Sequence, residues 1–455
     1  MLPSVRRWFA LGLYFLTVSL PVRAGLELAV FDADATPATG TLLTYDPMIA
    51  VGELTLRCRG IVLTGAGEPI VLCAVDWIGI ANEAHDVFRD QLAAAAGTTR
   101  ERVALHVLHQ HDAPVADFTA ARLLMARGMA PGVFDPAIVQ PAMARASNAV
   151  RAALTNRQPV TQVGWGRAEV HQVASNRRIP GPDGRIRGVR YTACTDAGLR
   201  AAPEGTVDPR LVVVSFWNGD KPLAALSYYA THPQSYYRTG IANPDFPGIA
   251  RFLADQAHPG LPHIHFNGAG GNIGAGKYND GAPTNRAVLA ARLADGMERA
   301  WAATVRQPLD VADVGWSVEP VRLPVAKHID RALEEAALAR PTPAVYVHVA
   351  KLAWLDRDAA GRKADVACLR LGGIRVLHLP GELFVEYQLA AQQMRPDLGV
   401  AMAAYGDYGA SYIGTEQAYP EGGYETGPDS SFVDPSVQGV LLGAIGRLLG
   451  AGGGR

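Results

Sequence analysis

Apolar and polar positions alternate in short blocks along this chain, and the blocks switch between a period of two and a period near 3.6. "LTLRCRGIVL" (54–63) and "PIVLCAVDWIGI" (69–80) are rich in β-branched residues and flank the Gly-rich turn "GAGEP", which predicts a hairpin. "ANEAHDVFRDQLAAAAG" has helical spacing and stops at Gly97, a residue suited to a left-handed cap. "RVALHVL" (102–108) predicts a buried strand. The same grammar returns twice. "LVVVSFWNGDKPLAALSYYATHP" predicts a second hairpin turned at Asn218-Gly219-Asp220, then a short strand "HIHFN", a glycine loop and the amphipathic helix "PTNRAVLAARLADGMERAWAA". "DVACLRLGGIRVLHLPGE" predicts a third hairpin turned at Gly372-Gly373. A Tyr- and Gly-dense loop from Tyr405 to Gly427 and a closing helix "VQGVLLGAIGRLLG" follow. These elements predict an α/β chain of mixed β-sheets with flanking helices, without an internal sequence repeat. "RIPGPDGRIRG" reads as a long loop, a kind that is usually functional.

The first residues read differently. Arg6 and Arg7 precede the apolar run "WFALGLYFLTVSL", and Val22-Arg23-Ala24 forms a small-residue cleavage site. The run falls short of the ~20 residues that span a bilayer, so residues 1–24 are expected to be a signal peptide and residues 25–455 one secreted or periplasmic domain. No later run is long enough to suggest a membrane span. The formal net charge of −1 becomes more acidic when the leader's arginines are removed, which argues against a nucleic-acid partner. Cys58, Cys73, Cys194 and Cys368 have no CxxC spacing, which excludes a zinc ribbon. Cys58 and Cys73 flank the first hairpin turn as a disulfide or as a buried free pair.

Candidate chemistry gathers at strand exits, where sites in α/β sheets form. "HQHDAP" places His109 and His111 just past a strand, either as a metal pair or as two histidines at a strand end. His232 and Glu382 follow later strands. Two histidines and a carboxylate would satisfy a catalytic zinc ion with an open position, although spacing alone cannot group residues so far apart. Asp112 is a helix cap or a partner for a ligand histidine. His258, His263 and His265 read as packing or surface residues, and Trp77 and Trp217 as core. The glycine loop lacks the Walker and Rossmann spacings and reads as a substrate-facing loop.

Several motifs in one order resemble the neutral/alkaline, non-lysosomal ceramidase superfamily. They are "HQHDAP", Asn176-Arg177, "ATHPQSYYRTGIANPDFPG" with His232 and Asp245, Pro380-Gly381-Glu382, and "SYIGTEQAYPEGGYETG" with Tyr412 and Tyr424. The resemblance runs from about Leu26 to Gly427. It implies Zn2+ held by His109, His232, Glu382 and Tyr412, with His111, Arg177 and Tyr424 lining the reacting carbonyl. It also implies hydrolysis of an amide in an N-acyl, lipid-like substrate. Tyr412 should be the weakest ligand, since a phenol must lose a proton of pKa about 10 to bind. Two departures count against ceramide itself. "GGNIGAGKYND" has Gly274 where the family carries a serine, and the chain ends soon after the tyrosine loop, without room for the immunoglobulin-like domain of true ceramidases. The alternatives are a zinc esterase or deacetylase acting on a small or carbohydrate substrate, and a secreted binding protein without catalysis. The acyl group, the amine, the oligomeric state and the general base are not legible here.

The leader makes the first prediction: terminal sequencing of exported protein should begin at Gly25. An intact Met1 on a membrane-bound form would contradict it.

Overall fold

The computed structural model describes residues 25–340 and 344–451; the expected signal peptide lies outside the described residues. Three sheets dominate. In the first, strands Arg57–Gly65 and Gly67–Val75 form the hairpin, and Val103–Val107 adds parallel to its second strand. In the second, the hairpin Arg210–Asn218 and Lys221–Tyr229 is extended in parallel by His263–Asn267. In the third, Ala364–Leu371 and Ile374–His378 are extended in parallel by Gly399–Ala403. A helix bridges each parallel crossover: Asn82–Ala96, Asp245–Ala257 and Val385–Met394. One unit, hairpin then helix then parallel strand, is thus used three times, a repeat of topology that the sequence does not carry.

Both faces of these sheets are buried, which explains their almost continuous apolar runs. Ile70, Leu72 and Ala74 face inward with Val212, Val214, Leu226, Phe266, Val376 and Ala401, making a core shared by all three sheets. The alternate positions Val71, Cys73 and Val75 face the helices outside. Leu211 and Val213 do the same beneath Asp245–Ala257 and Thr284–Ala302. Among the described residues, no helix is long and apolar enough to cross a membrane.

Several expectations are corrected. "RIPGPDGRIRG" is a small hairpin, in which Arg178–Pro180 pairs with Ile186–Val189 across the Pro/Gly turn. Trp77 is buried, donating to the Ala35 carbonyl at 2.9 Å, but Trp217 is half-buried between the Trp301 ring and the Arg306 guanidinium. Of the two alternatives for Cys58 and Cys73, the buried free pair is the one found: their Sγ atoms lie 3.3 Å apart, placed diagonally because Cys58 pairs with Val75 and Cys73 with Gly60.

One ion pair ties the first sheet to the helix of the second unit. Asp76, at the end of Gly67–Val75, accepts both terminal nitrogens of Arg251 at 2.9 and 2.7 Å, and both side chains are buried. The carboxylate also accepts the Arg57 N–H at 2.8 Å. Gln110, between the two histidines, reaches toward it at 3.4 Å and donates to the Pro244 carbonyl at 3.1 Å. The pair therefore fixes the segment that carries His109 and His111. Removing one partner of a dry pair leaves an uncompensated charge, which costs about 3–5 kcal/mol. Arg251→Met should lose that much in urea unfolding, and Asp76→Leu with Arg251→Met should lose less than the single change. A single-variant loss below ~1 kcal/mol would show that the pair is not dry.

Candidate metal centre

Parallel strands all end on one side of their sheets, and here three sheets turn those ends toward a common point. His109 follows Val103–Val107, His232 follows Lys221–Tyr229, and Glu382 follows Ile374–His378. The HxH turn is tight: His109 adopts left-handed backbone (φ 65°), with its N–H bonded to the Trp77 carbonyl at 2.9 Å. His232 is held by its N–H to Ile273, and Glu382 by the two-residue parallel pairing of Glu382–Leu383 with Tyr412–Ile413. Gly271 runs so close to this pair that an added Cβ would sit 2.5 Å from the Glu382 carbonyl oxygen. The glycine loop is therefore the spacer that lets the His232 and Glu382 segments meet.

His109, His111 and His232 can bring one ring nitrogen each within 4.8 Å of one another, and all three are buried. His109 Nε2 lies 3.4 Å and His232 Nδ1 3.8 Å from Glu382 Oε2. A carbonyl only accepts, so the 2.6 Å bond from His109 Nδ1 to the Ile78 oxygen fixes the Nδ1–H tautomer and leaves Nε2 as a lone pair. His111 is oriented in the same way by the His109 carbonyl, at 3.1 Å. Burial lowers the pKa of His109 to about 3 and pushes those of His111 and His232 well below the usual range, so all three are neutral. Burial also pushes the Glu382 carboxyl up to about 7. Neither His232 Nδ1 nor Glu382 Oε2 has a hydrogen-bond partner among the described residues. Lone pairs facing one another without a donor are the arrangement that a cation relieves. Ligand atoms about 2.0–2.1 Å from a tetrahedral zinc ion lie about 3.3–3.5 Å apart, close to the distances found. The residues fit the ion.

The tyrosine loop surrounds this centre. The Tyr412 hydroxyl accepts from Arg177 Nη2 at 3.1 Å, and the same nitrogen donates to the Gly271 carbonyl at 2.7 Å. Arg177 is buried, with Nε 3.2 Å from the fully buried Glu425, which also lies 3.3 Å from Arg178. Asn176 shapes the bend that presents this arginine, accepting the Arg178 N–H at 3.0 Å and donating to Thr206. Burial raises the Tyr412 phenol well above its usual range, and Arg177 opposes that shift through its charge and its hydrogen bond. Tyr424 is exposed at the mouth, edge-on to Tyr412 at 5.7 Å. Sequence reasoning passed over Tyr408, whose hydroxyl donates to Glu382 Oε1, and Tyr405, whose ring stacks on His109 at 4.9 Å. It also missed Glu425 and the mouth residues Tyr45 and Tyr237. The recurrence of tyrosine at 405, 408 and 412 was the available signal for the first two.

Asp112 is neither a helix cap nor a partner of a ligand histidine; it accepts from the 238–239 segment of the loop after His232. Asp245 is buried within that loop's end, accepting the Ser235 N–H and pairing with Arg286. His258 pairs with Glu298 and His265 with Ser227, both away from the centre.

No family model matches the sequence, and no curated protein matches it. Several solved structures match its fold, among them two ceramidases. Neutral ceramidase from Pseudomonas aeruginosa is 18% identical with a TM-score of 0.64, over 92% of this chain and 73% of its own. A ceramidase complexed with C2 is likewise 18% identical with a TM-score of 0.64, over 92% of this chain and 74% of its own. In architecture, this mixed α/β chain with its buried histidine cluster is similar to the neutral ceramidases, the fold that its sequence motifs led one to expect.

Proposed function

We propose that the chain is an exported, zinc-dependent hydrolase that cleaves the amide bond of an N-acyl, lipid-like substrate. The observation that carries this reading is the convergence of His109 Nε2, His232 Nδ1 and Glu382 Oε2 without a donor between them. The likeness in fold to neutral ceramidase supports the choice of an amide. The ion would be held by His109, His232 and Glu382, with Tyr412 as a fourth and weaker ligand. When bound, zinc acidifies water and polarises a carbonyl.

The remaining work belongs to side chains. His111 presents a neutral Nε2 lone pair beside the cluster, since its Nδ1 is tied to backbone. It takes the proton of the attacking water and returns it to the departing nitrogen as the C–N bond breaks and the new C–O bond forms. Tyr424 stands at the mouth, where its hydroxyl can donate to the oxyanion. Arg177 spends Nη2 on Gly271 and Tyr412, so it contributes positive charge and the placement of Tyr412 more than a free donor.

Two measurements test this assignment. Elemental analysis of the mature protein should find one zinc per chain, and His109→Ala and His232→Ala should each lose it; full stoichiometric zinc in both variants would refute the ligand set. The tyrosines separate metal holding from chemistry. Loss of one oxyanion donor costs about 10²–10³ in rate, so Tyr424→Phe should keep zinc while kcat falls by about 10² on N-acyl amides. Tyr412→Phe should instead weaken zinc retention modestly, because two histidines and a carboxylate still hold the ion. Zinc content and kcat measured together decide the matter: if Tyr424→Phe sheds zinc and Tyr412→Phe does not, the two roles are exchanged.

A further inference from the structure

The loop that leaves His232 folds back over the HxH segment, and one buried carboxylate holds it there. Asp112 accepts the N–H groups of Arg238 at 2.9 Å and Thr239 at 3.3 Å, together with the Thr239 hydroxyl at 2.7 Å. Arg238 is thereby fixed in left-handed backbone (φ 64°), a conformation disfavoured for residues other than glycine because Cβ crowds the following carbonyl oxygen. Strain of this kind persists where surrounding structure overdetermines it, commonly beside functional sites.

The side chain of this residue lines the entrance. Its guanidinium carbon lies 5.2 Å from the Tyr45 ring centroid and 5.7 Å from that of Tyr237. Tyr45 in turn stacks on His111 at 5.9 Å with the planes 8° apart, and Tyr237 meets His111 edge-on at 5.3 Å. Cation–π contact positions a guanidinium yet leaves its five N–H donors free. Among the described residues no carboxylate forms an ion pair with Arg238, and Asp112 is already occupied by three donors. Besides its burial, the groups that act on the Tyr45 hydroxyl are Tyr237 and Tyr424, then Glu382 on the floor, with Arg238 at the rim opposing them. Arg238 is therefore an exposed, aromatic-braced cation connected to His111 of the cluster through Tyr45 and Tyr237.

We infer that Arg238 recognises an anionic oxygen group on the substrate, so that the amide cleaved here carries a carboxylate or phosphate on its polar half. This inference rests on the amide-hydrolase reading. The planar fork of an arginine matches both anions bidentately, which an uncharged polyol cannot exploit. The neutral headgroup of a ceramide would leave those donors to water.

Three substrates with one acyl chain isolate the effect: N-lauroylglycine, N-lauroylethanolamine and the O-phosphate of the latter. With zinc-loaded wild type, kcat/KM for at least one anionic substrate should exceed that of the neutral one by about tenfold, the size expected of a partly exposed charged hydrogen bond. Which anion is favoured identifies the source. Arg238→Gln should bring the ratio to within about twofold, and Arg238→Lys should keep part of it. Added salt should shrink the wild-type ratio and not that of the glutamine variant. Arg238 is exposed, so thermal melting should show both variants folded. A wild-type ratio near one, or an unchanged ratio in Arg238→Gln, overturns the inference. If no substrate is cleaved, the amide-hydrolase reading falls on its own, and calorimetric binding of the three compounds decides this one. Tighter anion binding that is lost in Arg238→Gln upholds it, and equal affinities overturn it.

Discussion

His109 Nε2 and His232 Nδ1 each lie within 4 Å of Glu382 Oε2 as acceptors facing an acceptor, and much of the fold exists to keep them there. Such an arrangement is unfavourable in a dry interior unless something positive stands between the atoms. The surroundings limit what that can be. Burial disfavours protonation of all three histidines and raises the Glu382 carboxyl to about 7, which leaves a proton on Glu382 or an external cation to occupy the point. Tyr408 satisfies only the other oxygen of Glu382, and Arg177 is drawn toward Glu425 and Tyr412. The site is thus preorganised by withholding donors from one point while supplying them all around it.

How much of this could be read in the sequence depended on how local each signal was. The three hairpins were legible because alternation and turn residues sit within twenty positions of one another. The threefold use of one topology was not, because it is written in connectivity while the exits carry different residues: His109 in one unit, His232 in another, Glu382 in the third. The HxH pair announced itself, but grouping it with Glu382 needed the family resemblance, since periodicity says nothing about which strand exits meet. Asp112 was undecidable for the same reason, its partners lying in the loop after His232. The "RIPGPDGRIRG" hairpin escaped because proline and glycine mask a short strand pair whose purpose is to present Arg177 and Arg178.

Gly274 takes on a different meaning in three dimensions. A Cβ there would stand 3.1 Å from Arg177 Cδ and 3.5 Å from Thr192 Oγ1. The residue pairs with Ser175 in a two-strand bridge, and Ser175 Oγ donates to its carbonyl at 2.8 Å. The absent side chain leaves the space in which the guanidinium stem of Arg177 lies. Substitution at this position would press on that arginine before it reached any substrate.

The threefold construction also bears on how the molecule comes together. Each hairpin–helix–strand unit can form from contacts near in sequence, whereas the candidate metal centre requires all three units to have docked, with His109, His232 and Glu382 drawn from the first, middle and last thirds of the chain. Contacts of such high sequence separation form late, because loop closure must be completed before they give any return. A nascent or partly folded chain therefore presents no preformed chelate, only scattered histidines. An ion bound at the junction favours the docked state alone and so resists the separation of sheets that hold their own local hydrogen bonds. Occupancy would then report the docking of three sheets onto the core they share.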